Sequence, residues 1–348
     1  MTYFRPQIEA MSGYVPGEQP QTDEFVKLNT NENPYPPSEA VAPAIEEALR
    51  RGLQKYPDPI ARPFRVKAAE VLGVEPDWIL AGNGSDDILT IATRAFVGQG
   101  QLLRLPYPSY VLYNTLAQIQ GARSEEVHFQ DDWSLPDSFA AAGDGLRLAF
   151  LPNPNSPSGT VISPRRILEL AERLPCPLLV DEAYGDFAEV NCLDLVARSE
   201  KILVSRSLSK SYALAGLRFG FVVARPGMIE QLAKVKDSYN CDALSIAAAT
   251  AAIGDRQWLA DNRAKIIATR RRLTSGMRDL GFVTVDSQAN FTWNTHPDRP
   301  VKPIYERLKR SGILVRYMDY PAWGDGLRIS VGTDEQIDAC LERLRTII

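Results

Sequence analysis

The chain has 348 residues, a length suited to about two domains. Charged residues make up 24% and the hydrophobic set 45%, which excludes wholesale disorder. Lys and Arg number 39 against 43 Asp and Glu, a formal net charge of −4. Nucleic acid is therefore not expected as a partner, since it would demand a basic excess or stripe.

The longest uncharged, apolar-looking run, residues 243–253, is 11 residues long. A spanning helix needs about 20, so no membrane is expected as a partner either. The opening MTYFRPQIEAM lacks the basic and then apolar order of a secretory signal. Cys176, Cys192, Cys241 and Cys340 are scattered, with no C-x-x-C spacing, and read as reduced thiols of a cytoplasmic protein. With only two histidines, His128 and His296, there is little material for a metal site or a Ser-His-Asp triad, and no metal is expected.

Residues 1–35, rich in Pro and Asn, read as an extended arm. A helix fits 38–51 with Ser38 as its cap, a Pro-rich loop follows over 53–63, and a second helix fits 63–72. Strands are then expected at 78–82, 101–106, 147–152, 177–184, 201–207 and 218–224. Helices fall between or after them at 85–97, 109–120, 164–174 and 226–236. Short apolar runs alternating with amphipathic helices indicate a mostly parallel α/β sheet covered on both faces. Residues 243–280 fit one or two long helices. Beyond Gly281, strands at 282–286, 289–294, 313–317 and 326–331 with helices at 301–311 and 334–346 form a smaller α+β unit. The division expected is an arm over 1–30, a large domain over 31–250 and a small domain over 251–348.

Four segments lie at or just beyond strand ends, where open α/β sheets gather ligands. GNGSDD (82–87) is a Gly-rich turn into a helix, and Gly84, Ser85 and Asp86 would present free N–H groups and a helix dipole to a phosphate. Taken alone, the segment is first of all a plain helix cap by Ser85 or Asp86. NPNSPSG (153–159) is a rigid turn offering two Asn amides, or simply a turn. In VDEAYGDF (180–187), Asp181 ends an apolar strand, where a carboxylate is costly unless paired, and Tyr184 follows three residues on. A surface acid is the alternative. In SRSLSKSYALAGLRFG (205–220), Lys210 reads as an amine nucleophile or a solvated surface lysine, and Ser207, Ser209 and Arg218 would make a second half of an anion site. Together a phosphate cradle, a strand-end carboxylate, an Asn turn and a lysine match pyridoxal 5′-phosphate. The lysine would form the Schiff base, and the carboxylate would keep the pyridine nitrogen protonated.

With these motifs in order, from LNTNENPYPPS (28–38) to GLRISVGT (326–333), the chain resembles the fold type I aminotransferases, and within them the histidinol-phosphate aminotransferases. The resemblance implies a seven-stranded, mostly parallel sheet with a smaller second domain, and a homodimer. It makes Lys210, Asp181 and Tyr184 the cofactor lysine, the pyridine-nitrogen partner and the donor to O3′. It makes Tyr110 the ring stacked on the pyridine, although aromatic residues at 107, 110 and 113 also fit a helical core face. Gly84, Ser85, Asp86, Ser207, Ser209 and Arg218 become the phosphate cup, and Tyr56 the tyrosine offered to the neighbouring subunit's cofactor phosphate. The sequence departs from the family in having Ser156 where many relatives carry the Asn that reaches O3′. Asn155, one place earlier, is expected to substitute. Asp86-Asp87 stands where an Asp-Glu pair is common.

The same resemblance makes Arg328 and Arg316 anion clamps for substrate, with Tyr14 adding a phosphate contact. Guanidinium suits both carboxylate and phosphate. The activity implied is transfer of the amino group of L-histidinol phosphate to 2-oxoglutarate. Alternatives on the same scaffold are a phenylalanine or tyrosine aminotransferase and a threonine-phosphate decarboxylase.

Overall fold

The computed structural model describes residues 3–13, 16–20 and 25–348. In chain order the elements begin with α1 (Pro6–Ala10), β1 (Val26–Leu28), α2 (Val41–Arg51), α3 (Arg62–Leu72), β2 (Ile79–Gly82), α4 (Ser85–Phe96), β3 (Leu102–Tyr107), α5 (Leu112–Gln120) and β4 (Arg123–His128). They continue with β5 (Leu146–Pro152), α6 (Pro164–Arg173), β6 (Leu178–Asp181), α7 (Leu193–Arg198), β7 (Ile202–Ser207), β8 (Gly220–Val223), α8 (Pro226–Ala233) and α9 (Ala243–Gly254). The last are α10 (Arg256–Asp279), β9 (Val283–Thr284), β10 (Phe291–Thr295), α11 (Lys302–Arg310), β11 (Ile313–Tyr320), β12 (Gly324–Ser330) and α12 (Asp334–Ile347).

Seven strands form one sheet in the order β2-β8-β7-β6-β5-β3-β4, and only β8 runs antiparallel to its neighbours. The strand residues alternate between two cores. Leu178, Val180, Ile202 and Val204 face a cluster that includes Phe64 of α3, Ile167 of α6 and Ala249 of α9. Leu148, Phe150, Leu179 and Leu203 face a second cluster with Ile88 of α4, Tyr113 of α5 and Ile229 of α8. Burial on both faces explains why these strands read as unbroken apolar runs. A five-stranded sheet, β1-β11-β12-β10-β9, holds a third core with α10, α11 and α12, in which β1 pairs parallel to β11.

Local chemistry moves several boundaries from the sequence expectation. α2 starts at Val41: Ser38 gives its carbonyl to the Val41 N–H, and its hydroxyl accepts from the Ala40 N–H at 3.2 Å while donating to Asp255 Oδ2 at 2.5 Å. The 243–280 segment is two helices, parted where the Asp255 side chain accepts from the Trp258 N–H. α5 starts at Leu112, which leaves Ser109 and Tyr110 in the loop after β3. Four elements were not anticipated: α1, β1, the polar edge strand β4, and α7.

Candidate active site

A cavity of about 480 Å³ lies beyond the C-terminal ends of β6 and β7, where the two sheets meet. Lys210, Asp181, Tyr184, Tyr110, Ser85, Asp86, Ser207, Ser209, Arg218, Arg316 and Arg328 all line it. Those from the large domain end or follow elements of its open sheet, whereas Arg316 and Arg328 come from within strands of the small sheet.

One end is built to receive an anion. Gly84, at φ +84°, turns the chain from β2 into α4 without a side-chain cap, so the first N–H groups of the helix stay available. A Cβ at Gly84 would lie 2.8 Å from Arg218 Nη2, so the guanidinium approaches this turn closely. Arg218 donates to Ser209 Oγ at 3.2 Å and to Asp86 Oδ2 at 3.3 Å, and Tyr110 donates to Asp86 Oδ1 at 3.3 Å. Asp87 does not face this point. Its Oδ2 accepts from the Asn83 N–H and from Asn240 Nδ2, both at 2.9 Å, and so braces the turn.

At the centre, Asp181 ends β6 with both oxygens engaged. Tyr113 donates to Oδ2 at 2.8 Å, while Ser205 Oγ and the Ala183 N–H donate to Oδ1 at 3.1 and 3.2 Å. Burial pushes the carboxyl above its ordinary range. The Tyr113 and Ser205 hydroxyls oppose that rise. Behind it, Glu182 and Asp186 both accept from Arg206, at 2.8 and 2.6 Å, tying the ends of β6 and β7 together. Lys210 donates from Nζ to the Thr30 carbonyl at 2.9 Å. Burial, and then the charge of Arg328, lowers its ammonium to about 8. A lysine so placed is a usable amine near neutral pH. Asn31, held at φ 55°, donates from Nδ2 to the Tyr184 hydroxyl at 2.9 Å.

The far end carries the arginines. Arg316 of β11 and Arg328 of β12 are directly opposed, so they share a face of the small sheet. Arg328 donates to Ser156 Oγ at 3.0 Å and to the Asn29 carbonyl at 3.1 Å, lies over the Phe291 ring at 5.4 Å, and keeps a buried Nε with no partner.

One expected residue stands elsewhere. Asn155 does not line the cavity, because its Nδ2 is taken by Ser158 Oγ at 2.9 Å and by the Pro108 carbonyl at 3.3 Å. Ser156 takes the lining position instead. Tyr56 is 80% exposed and stacked on Tyr239 at 4.4 Å, outside the cavity. Tyr14 lies outside the described residues. Sequence reasoning gave no role to Thr30, Asn31, Tyr113 or Ser205. The first two sit in LNTNENPYPPS, whose polar side chains carry no distinguishing signal of a role, and Tyr113 fits a helical core face equally well.

Pyridoxal 5′-phosphate fits these residues. The glycine turn beside Arg218 would not admit a side chain without displacing the guanidinium. Ser109 Oγ, on the cavity wall, is buried without a partner. A buried carboxylate and an amine of lowered pKa complete the donor set. Fold and site together define a pyridoxal-phosphate enzyme of fold type I. The chain belongs to the aminotransferase class I and II family, whose sequence model matches residues 23–344. It is 60% identical over 339 residues to a histidinol-phosphate aminotransferase of Rhodopirellula baltica, covering 97% of this chain and 94% of that one. It is 44% identical over 348 residues to one of Geotalea uraniireducens, covering both chains fully. The crystal structure of histidinol-phosphate aminotransferase from Sinorhizobium meliloti in complex with pyridoxal 5′-phosphate superposes with a TM-score of 0.90 at 26% identity, covering 100% of this chain and 99% of that one.

Proposed function

We propose that this chain transfers the amino group of L-histidinol phosphate to 2-oxoglutarate, giving imidazole-acetol phosphate and L-glutamate reversibly, as a step of L-histidine biosynthesis. The observation that carries the substrate is the opposed pair Arg316 and Arg328 on one face of β11 and β12. Like charges directly opposite on a sheet are destabilising, and a bound anion relieves the repulsion. A phosphate dianion satisfies two guanidinium groups, and the carboxylates of glutamate use the same donors in the second half-reaction. Histidinol phosphate has no α-carboxylate, so its phosphate takes that place.

Bound pyridoxal phosphate supplies an aldehyde that exchanges amines and a ring that withdraws electrons from the substrate Cα. Ser85, Ser207, Ser209 and Arg218 hold its phosphate, with the start of α4 adding N–H groups. Asp181 holds the proton on the ring nitrogen, and Tyr184 donates to the phenolic oxygen. Tyr110 leaves the loop after β3 to cover one face of the ring. Lys210 Nζ would serve as the base for the Cα proton, a role suited to an amine whose pKa lies near 8. Ser156, at the position expected for an Asn, holds Arg328 and adds no amide donor.

The division into an arm (1–30), a large domain (31–250) and a small domain (251–348) follows the same reading. It is supported by the two sheets and by the α9–α10 break at Asp255. We also read the enzyme as a cytoplasmic homodimer. Four free, buried cysteines support the compartment, and the exposed Tyr56–Tyr239 stack supports a surface that meets a second copy. Among the described residues no helix is long and apolar enough to cross a membrane.

The test is single-turnover absorbance of the pyridoxal-phosphate-loaded enzyme with L-histidinol phosphate, L-phenylalanine and L-tyrosine at matched concentrations. Fast conversion with histidinol phosphate alone is expected. Equal or faster conversion with the aromatic amino acids would overturn the substrate assignment, as would release of carbon dioxide from L-threonine phosphate.

A further inference from the structure

Tyr113 lies in the first turn of α5, 0% exposed, its ring tilted on Phe150 at 4.9 Å and edge-on to Tyr110 at 5.5 Å. A fully buried phenol needs a partner for its hydroxyl. The hydroxyl donates to Asp181 Oδ2 at 2.8 Å. Oδ1 is served by Ser205 and the Ala183 N–H, so Tyr113 is the donor on Oδ2. Among the titratable groups that face the pair, Asp86 at the start of α4 adds a like charge that raises the Asp181 carboxyl. The phenols of Tyr110 and Tyr184 face Tyr113. Burial and the adjacent carboxylate hold the Tyr113 phenol far above its ordinary pKa, so it remains a donor throughout the working pH range.

We propose that Tyr113 is a positioning residue which, through the hydroxyl bond to Asp181 Oδ2, keeps the proton shared by Asp181 and the cofactor's ring nitrogen on the nitrogen. The inference rests on the pyridoxal-phosphate reading above, but not on which amine is the substrate. Two bases share one proton, and it resides on the stronger. Asp181 is buried and faces Asp86, both of which make it a stronger base than a solvated carboxylate. A hydrogen bond to the ionised form weakens it as a base, and Tyr113 is the foremost such donor. Without it the proton moves toward Asp181, and the ring loses the positive charge that draws electrons from Cα. The hydroxyl is bonded to Asp181, and so acts through that carboxylate.

The test compares wild type and Tyr113→Phe, both loaded with pyridoxal phosphate labelled with ¹⁵N in the ring. The expected result is a ring-nitrogen chemical shift displaced toward that of neutral pyridine. With it, kcat should fall about 10- to 100-fold while KM changes far less, which is the scale of one lost hydrogen bond to a charged group. Ser205→Ala should move the shift in the same direction by less. A Tyr113→Phe enzyme that keeps the protonated shift and its kcat, with only a lowered Tm, would overturn the proposal and leave Tyr113 a packing residue. Should Tyr113→Phe not fold, 3-fluorotyrosine at position 113 keeps ring and hydroxyl and is a stronger donor. The ring nitrogen should then stay protonated to higher pH than in wild type, and an unchanged profile overturns the proposal. Because the nitrogen signal is read without any amine, loss of activity on histidinol phosphate with the expected shift intact would count against the substrate assignment alone. A wild-type protein that fails to bind the cofactor would sink both.

Discussion

Gly220 should be irreplaceable for a reason of backbone packing. It opens β8, paired with Gly82 of β2 and Ser207 of β7, and so lies beneath the turn that starts α4. A Cβ there would fall 2.5 Å from the Ser85 nitrogen, 2.6 Å from the Gly84 carbonyl carbon and 2.9 Å from the Arg206 oxygen. All three are backbone atoms, so no rotamer change can make room. Restoring ordinary contact requires the Gly84–Ser85 peptide to retreat by about 0.9 Å. That movement carries the first N–H groups of α4 away from the phosphate. Overpacking costs about 1–3 kcal/mol, a fall of roughly 1–4 °C in the Tm of Gly220→Ala apoprotein by scanning calorimetry. Loss of one charge-assisted hydrogen bond weakens the cofactor by about 10- to 100-fold in Kd, read by quenching of tryptophan fluorescence on titration with pyridoxal phosphate. Gly227→Ala is the control, because it lies in the first turn of α8 with nothing near its Cβ, and it should be neutral or slightly stabilising. A Gly220→Ala protein with Kd within about threefold and Tm within about 1 °C of wild type would show that the turn yields freely, and the argument would fail.

Further outcomes follow from the same contacts. Arg328→Ala should lower kcat/KM by about 100-fold or more for both histidinol phosphate and glutamate, and steady-state rates within a few-fold of wild type for both would refute the clamp. Lys210 has a folded-state pKa of about 8 against an ordinary 10.5, so below pH 8 the apoprotein forces a proton into an unfavourable site, and between the two values the unfolded chain binds more protons. Stability of wild-type apoprotein relative to Lys210→Met should therefore be lowest near neutral pH and recover as pH rises from about 8 to about 10.5. Thermal melts across that window that stay parallel would contradict the assignment. Glu182→Ala leaves the buried Arg206 guanidinium with Asp186 as its remaining carboxylate and should destabilise by about 1–3 kcal/mol in urea titrations; a loss near zero would show that water reaches Arg206.

The large sheet was legible in sequence because its strands are covered on both faces, so β5, β6 and β7 each carry a short apolar run, LAFL, LLV and ILV. β4 was not, since an edge strand reading RSEEVH keeps its side chains in or near solvent and carries no apolar signal. One partner of β4 reads against type as well. Arg104, in the middle of β3, is 1% exposed, satisfied by Glu125 and by the carbonyls of Phe139 and Ala141, a pairing invisible until the strands are aligned. Within the site, Lys210 and Asp181 stood out because a charge beside an apolar strand needs a reason. Tyr113 did not, because an aromatic at helical spacing is what a core also requires, and only the hydroxyl contact separates the two roles. Asn155 and Ser156 are adjacent, and the turn alone decides which faces the cavity, a matter of backbone geometry that residue type does not encode.

The pairing of β1 with β11 bears on how the enzyme is made. Val26 lies opposite Ile313, so 287 residues separate the two partners along the chain. At about 5–20 residues per second on the ribosome, the short strand waits roughly 15–60 s for its neighbour, and the whole seven-stranded sheet is synthesised in the interval. Thr30 and Asn31, just beyond β1, reach Lys210 and Tyr184, while Arg328 arrives on β12. The phosphate turn and the Asp181 carboxylate are thus translated long before β11, which seats Thr30 and Asn31, and before Arg328. The nascent chain can assemble a place for the cofactor's phosphate well before it can assemble an enzyme.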